Sequence, residues 1–149
     1  MAIVPKSVDF TADDLARRLK KVSILGALSQ AQLKTLARST QVVAHGEGDM
    51  VLKRGASGDG LYLVLEGTVE VRRGSRALAR LGAGQFFGEM SLFDNQPRSA
   101  DVVALHPSKF AVLTKWDFWG FAASKPGVVL KILEEMSRRL RAADGALAA

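Results

Sequence analysis

Apolar positions follow helical spacing up to Ser39, change to short runs cut by glycine, and return to helical spacing after Thr114. Thr11, followed by Asp13 and Asp14, has the form of a helix N-cap with acidic residues in the first turn, and Leu15, Leu19 and Val22 mark one face. Ser29 caps a second predicted helix that turns Leu33, Leu36 and Ala37 inward. From Thr40 onward, glycines such as Gly46, Gly55, Gly60, Gly67, Gly74 and Gly82 punctuate the chain. The runs between them predict strands at 40–44, 50–54, 61–65, 68–72, 77–81, 99–105 and 108–113, the layout of an antiparallel barrel or jelly roll.

Thr114 caps a helix carrying Trp116, Phe118, Trp119 and Phe121, a hinge expected to pack on the strands. Pro126 suits the first position of a last helix, in which Val129, Leu133, Met136 and Leu140, with Ile132 beside them, form an apolar stripe. The expected fold is mainly β with flanking helices: an antiparallel β-roll, jelly-roll-like, with N-terminal helices and a C-terminal lid helix pair. As one domain over 1–149, it divides into helices at 1–39, the roll at 40–113 and helices at 114–149. The Ala-rich tail from Ala142 is expected to fray after Gly145.

Composition narrows the chemistry. The 149 residues are 48% hydrophobic and 24% charged, ordinary for one globular domain. Cysteine is absent, which removes disulfides, thiolate nucleophiles and cysteine-ligated metals. His45 and His106 have no metal-ligand spacing and read as loop residues, so no metal site is expected. No apolar run has the length of a membrane span, and nothing reads as a signal peptide, so a cytoplasmic location is expected. The net charge of +6 gathers at Arg17, Arg18, Lys20 and Lys21, at Arg72, Arg73, Arg76 and Arg80, and at Arg138, Arg139 and Arg141. Charges spaced along helices and hairpins read first as solvated faces.

The chemistry is concentrated in residues 86–100. Gly88 lets backbone approach a ligand, and a helical turn starting near Glu89 would aim the amides of Met90 and Ser91 at an anion. Nine residues after Glu89, Arg98 offers a fork of donors for two phosphate oxygens, with the Ser99 hydroxyl beside it. A carboxylate repels phosphate, so the sensible role of Glu89 is to accept from a sugar hydroxyl. Phosphate and sugar together suggest a nucleotide.

Phe87-Gly88-Glu89-Met90-Ser91-Leu92, then a short turn, then Pro97-Arg98-Ser99-Ala100 resembles the phosphate-binding cassette of the cyclic-nucleotide-binding domain family at every position. Gly55, the run Leu61 to Leu65, Glu66 and Gly67 resemble the family's glycine-punctuated strands, and Arg138-Arg139-Leu140 extends the likeness, which covers residues 24–143. The resemblance implies that Glu89 binds the ribose 2′-hydroxyl, that Arg98 and Ser99 bind the cyclic phosphate, and that the amides of Met90 and Ser91 assist, with Gly88 allowing the approach. It suggests the last helix as a lid with Met136, Arg139 and Leu140 as contacts. The threonine–serine pair by which the family's bacterial regulators reach adenine is replaced by Ala143 and Asp144, so that base contact is not expected here. Ser99 in place of threonine leans toward cAMP, with cGMP as the other ligand. No cofactor is implied.

The function expected is therefore a cAMP-binding sensor that does no chemistry and works through a protein partner. A helix-turn-helix domain would need several more helices than the chain has beyond the roll, so direct DNA binding is not expected. A nucleotide-independent interaction module on the same fold is the alternative. A phosphodiesterase would need a metal or general base near the phosphate, and the cassette's glutamate, Glu89, is assigned to the sugar, with no histidine cluster beside it.

Overall fold

Thr11, Ser29 and Thr114 each turn a hydroxyl onto the amide three residues ahead, at 3.1 Å to Asp14, 3.2 Å to Gln32 and 3.2 Å to Asp117. Those caps start helices Ala12–Leu19 (α1), Gln30–Arg38 (α2) and Lys115–Ser124 (α3), as the sequence predicts. Gln32 returns a bond to the Ser29 amide at 2.9 Å and completes a capping box. The last helix, Pro126–Ala143 (α4), begins at its proline. The computed structural model describes residues 6–8, 10–58, 60–94 and 96–143; the tail beyond Ala143, with the expected fraying and Asp144, lies outside them.

Nine strands, Lys6–Val8 (β1), Thr40–His45 (β2), Met50–Leu52 (β3), Gly60–Glu66 (β4), Thr68–Arg73 (β5), Arg76–Gly82 (β6), Phe86–Phe87 (β7), Asp101–Ala104 (β8) and Ser108–Thr114 (β9), are found among the described residues. They pair antiparallel in two sheets, of order β1-β2-β9-β4-β7 and β3-β8-β5-β6. The fold is a β-roll with flanking helices. Two strands lie outside the predicted runs: β1 and the two-residue β7 are too short to show a period, and they exist because β2 and β4 offer edges for pairing.

Strand β4 is apolar at every position from Leu61 to Leu65 because both its faces are covered. Leu61 and Leu63 join Leu19, Leu36, Phe118 and Ile132 in a cluster between helices and sheet. Tyr62 and Val64 face the other way, into a cluster of Val69, Leu81, Phe87, Val102 and Phe110 that holds the two sheets together. Phe110 is fully buried there, and its truncation to alanine would cost about 3–5 kcal/mol.

Three expectations are corrected. The inward face of α4 is Val128 and Ile132, with Val129 and Met136 partly buried; Leu133 and Leu140 face solvent, at 47% and 62% exposure. The helix is turned because Arg139, on the same face as Val128 and Ile132 and held within the helix by Glu135, makes polar contacts with Glu89 and the Phe86 carbonyl at the roll's edge. His45 is no loop residue: it ends β2, buried against Phe110, with Nδ1 3.6 Å from Asp49 Oδ2. Of the α3 aromatics Phe118 packs into the core while Trp116 is 72% exposed. No helix of the described residues is long and apolar enough to cross a membrane.

Candidate functional site

Gly88 has φ of +82°, a left-handed conformation that bends the chain out of β7 into a four-residue 3-10 turn, Glu89–Leu92. A side chain at this point would be strained, and its Cβ would lie 2.8 Å from Arg98 Nη1. The backbone of Met90 and Ser91 thus lies in the first turn after a glycine bend, where amides have no intrahelical acceptor. The Met90 side chain is exposed at 48%.

Arg98 does not lie in a strand, as the predicted run 99–105 would suggest for its neighbours; β8 starts only at Asp101. Instead the Arg98 amide donates to the Ala56 carbonyl at 2.9 Å and its carbonyl accepts from Gly55 at 2.9 Å. This two-bond bridge fixes the backbone and sends the side chain inward, to 8% exposure. The guanidinium donates through Nη1 to the Gly88 carbonyl at 3.2 Å and through Nη2 to the Gly60 carbonyl at 3.1 Å. Tyr62 presents its ring 6.0 Å from the guanidinium carbon. A Cβ at Gly58 would fall on Arg98 Nε, so a glycine is needed there for the side chain to pass. Gly58, Gly60 and Tyr62 thus surround the Arg98 side chain, a part the sequence alone does not give them, since its glycines read as turn punctuation; the signal was their clustering.

Glu89 is also 8% exposed. Its Oε1 accepts from Arg139 Nη1 of α4 at 2.9 Å. Arg139 also donates to the Phe86 carbonyl at 2.5 Å, stacks its guanidinium 4.5 Å over the Phe86 ring, and is held by Glu135 Oε1 at 3.3 Å. A buried carboxylate costs several kcal/mol without a partner, and Arg139 supplies one. The remaining lone pairs of Glu89 are chemically able to accept from a hydroxyl.

Of the three expected lid contacts, Arg139 reaches the cassette, Met136 packs against the helix–sheet cluster, and Leu140 points to solvent. Ser99 is exposed; its hydroxyl lies 3.8 Å from Met90 Sδ, and its carbonyl accepts from Arg73 Nη2 at 3.2 Å. From α3, Trp119 Nε1 donates to the Leu92 carbonyl at 3.0 Å, and the Trp119 ring meets Phe93 edge-on at 5.6 Å. The cassette is therefore touched by both C-terminal helices and by the β5–β6 hairpin.

A buried cation and a buried carboxylate lie on either side of one glycine bend, groups chemically able to meet an anion and a hydroxyl respectively. Residues 42–125 match the cyclic nucleotide-binding domain. The chain belongs to that family. A cyclic AMP receptor protein of Thermus thermophilus is 37% identical over 103 residues, covering 66% of this chain and 48% of the relative. A cAMP-dependent protein kinase regulatory subunit of Debaryomyces hansenii is 34% identical over 101 residues, 67% of this chain and 22% of the relative. The chain thus spans about half and about a fifth of the length of these curated relatives. The crystal structure of the Thermus thermophilus catabolite activator protein superposes with a TM-score of 0.75 at 32% identity, over 83% of this chain and 61% of that one. By name these relatives are a receptor protein, a kinase regulatory subunit and an activator protein.

Proposed function

We propose that the chain is a cAMP sensor. Arg98 and Ser99, helped by the amides of Met90 and Ser91, hold the cyclic phosphate; Glu89 accepts from the ribose 2′-hydroxyl; and Gly88 lets the nucleotide approach. Helix α4 is a lid hinged at α3, with Arg139 as its contact and Met136 as its anchor. The observation that carries this reading is the convergence of two buried charges, Arg98 and Glu89, on one glycine bend, Arg98 Nη1 lying 3.2 Å from the Gly88 carbonyl. Both relatives are named for cAMP, which supports that nucleotide over cGMP.

Glu89, the buried carboxylate of the cassette, is engaged by Arg139, which makes it a poor base for activating water. The domain binds and releases its ligand unchanged, in the cytoplasm, and passes its state to a protein effector. Binding shifts α4 only by the difference in affinity between the two lid positions.

A second reading, an interaction module that needs no nucleotide, draws on the fact that Arg98 and Glu89 have protein partners already. Calorimetric titration of nucleotide-stripped protein with cAMP and cGMP, repeated on Arg98→Leu, separates the two. Saturable one-site binding with preference for cAMP, lost in the variant, is expected of a sensor; absence of binding by the stripped wild type would favour the module.

A further inference from the structure

The four arginines of the β5–β6 hairpin are not equivalent. Arg72 Nε lies 2.7 Å from Glu70 Oε1 and Arg80 Nε 3.1 Å from Glu70 Oε2, so one carboxylate serves both on a single face. Side chains alternate along a strand, which puts Arg73 on the other face, with Val69 and Val71. Those two valines pack into the cluster between the sheets, so this is the face of the roll's interior. At its end Arg73 reaches the cassette, Nη2 donating to the Ser99 carbonyl at 3.2 Å. Among the described residues no carboxylate is paired with it.

Its cross-strand neighbour is another arginine, Arg76, across the turn at Gly74 and Ser75. Like charges directly opposite each other weaken a ladder, and an anion at the hairpin tip offsets that repulsion. A guanidinium has five N–H donors in a planar fork, so one bond to the Ser99 carbonyl leaves others for an acceptor beside it. The Ser99 hydroxyl and Arg98, the groups assigned above to a phosphate, belong to the same residue and the one before it.

We propose that Arg73 is a second cationic contact for the cyclic phosphate, brought to the cassette by the β5–β6 hairpin. The assignment rests on the nucleotide reading above and adds to it a residue outside residues 86–100. Because Arg73 is exposed, its attraction to an anion is screened by salt in a way that a purely structural tether is not.

The test is titration of cAMP into wild type, Arg73→Gln, Arg73→Lys and Arg76→Gln at low and high potassium chloride. Arg76→Gln removes the same charge from the same hairpin without touching Ser99. Loss of one charge-assisted bond should weaken Arg73→Gln by about tenfold at low salt, while Arg76→Gln stays within about twofold of wild type. The affinity of Arg73→Gln should also fall less with added salt, and Arg73→Lys should retain the wild-type salt dependence. Equal melting temperatures would show that the exposed substitutions leave the fold intact. Arg73→Gln binding like Arg76→Gln, or weakened equally at every salt concentration, would overturn the assignment alone. A wild type that binds no cyclic nucleotide would overturn the underlying reading and this contact with it.

Discussion

Arg139 Nη1 stands 2.9 Å from Glu89 Oε1, joining the last helix to the cassette across fifty residues of sequence. The pair is mostly shielded, with side-chain exposures of 27% and 11%, so removing one partner strands the other. Arg139→Gln should lose about 1–3 kcal/mol of stability, the cost of leaving a buried group unsatisfied. Glu89→Gln alone should lose a comparable amount, and the double variant less than the sum. Urea unfolding of the four proteins measures this, and strict additivity would show that the contact carries no coupling.

Gly58 permits the course of the Arg98 side chain, since a Cβ would fall on Nε. Gly58→Ala therefore displaces the guanidinium from its bonds to the Gly88 and Gly60 carbonyls. Affinity for cAMP should drop by about tenfold or more, the loss of at least one charge-assisted hydrogen bond. Calorimetry of Gly58→Ala beside Gly127→Ala, where a Cβ meets open space, separates this from a general cost of replacing glycine.

Trp119 ties α3 to the cassette through the Leu92 carbonyl, so movement of the cassette should be felt by its indole. With Trp116 replaced by phenylalanine, Trp119 is the remaining tryptophan. Saturating cAMP should shift its emission, whereas the Trp119→Phe protein, which keeps only the exposed Trp116, should show no shift. An unchanged Trp119 spectrum at saturation would mean that α3 does not follow the site.

Burial holds the His45 imidazole below the ordinary histidine range, with Asp49 opposing that shift. The unfolded chain therefore takes the proton more readily than the folded one. Above about pH 6.5 both states are neutral and the full stability is present; as the pH falls through the lowered folded value, that stability is lost. His45→Leu should lack this loss, and chemical unfolding across the range measures it. The carboxylates Glu66 and Glu70 are held below their usual range, chiefly by hydrogen bonds from Arg18 and from Arg72, so their contribution disappears in a separate, more acid window.

Much of this arrangement was legible in the sequence because it is written locally. Thr11, Ser29 and Thr114 announce their helices, and residues 87–100 carry both buried charges in one contiguous segment. What escaped depends on contacts distant in sequence. The face of α4 is misread from sequence because Arg139 looks like a solvent residue until Glu89 and Phe86 are placed beneath it, and Glu135 until it is seen to hold Arg139. His45 looked like a turn residue because Gly46 follows it, yet the pairing with Ser108 carries β2 one residue further. The roles of Gly58 and Arg73 follow from strand register and from the path of Arg98, neither of which a single stretch of sequence displays.

The central claim is that Arg98 grips the phosphate of a cyclic nucleotide, and nitrogen-15 NMR of the arginine Nε–H groups during a cAMP titration tests it most directly. A cross-peak missing from the spectrum of Arg98→Lys should move on addition of cAMP to the wild type and saturate with one site. Binding of cAMP while that cross-peak stays in place would contradict the claim.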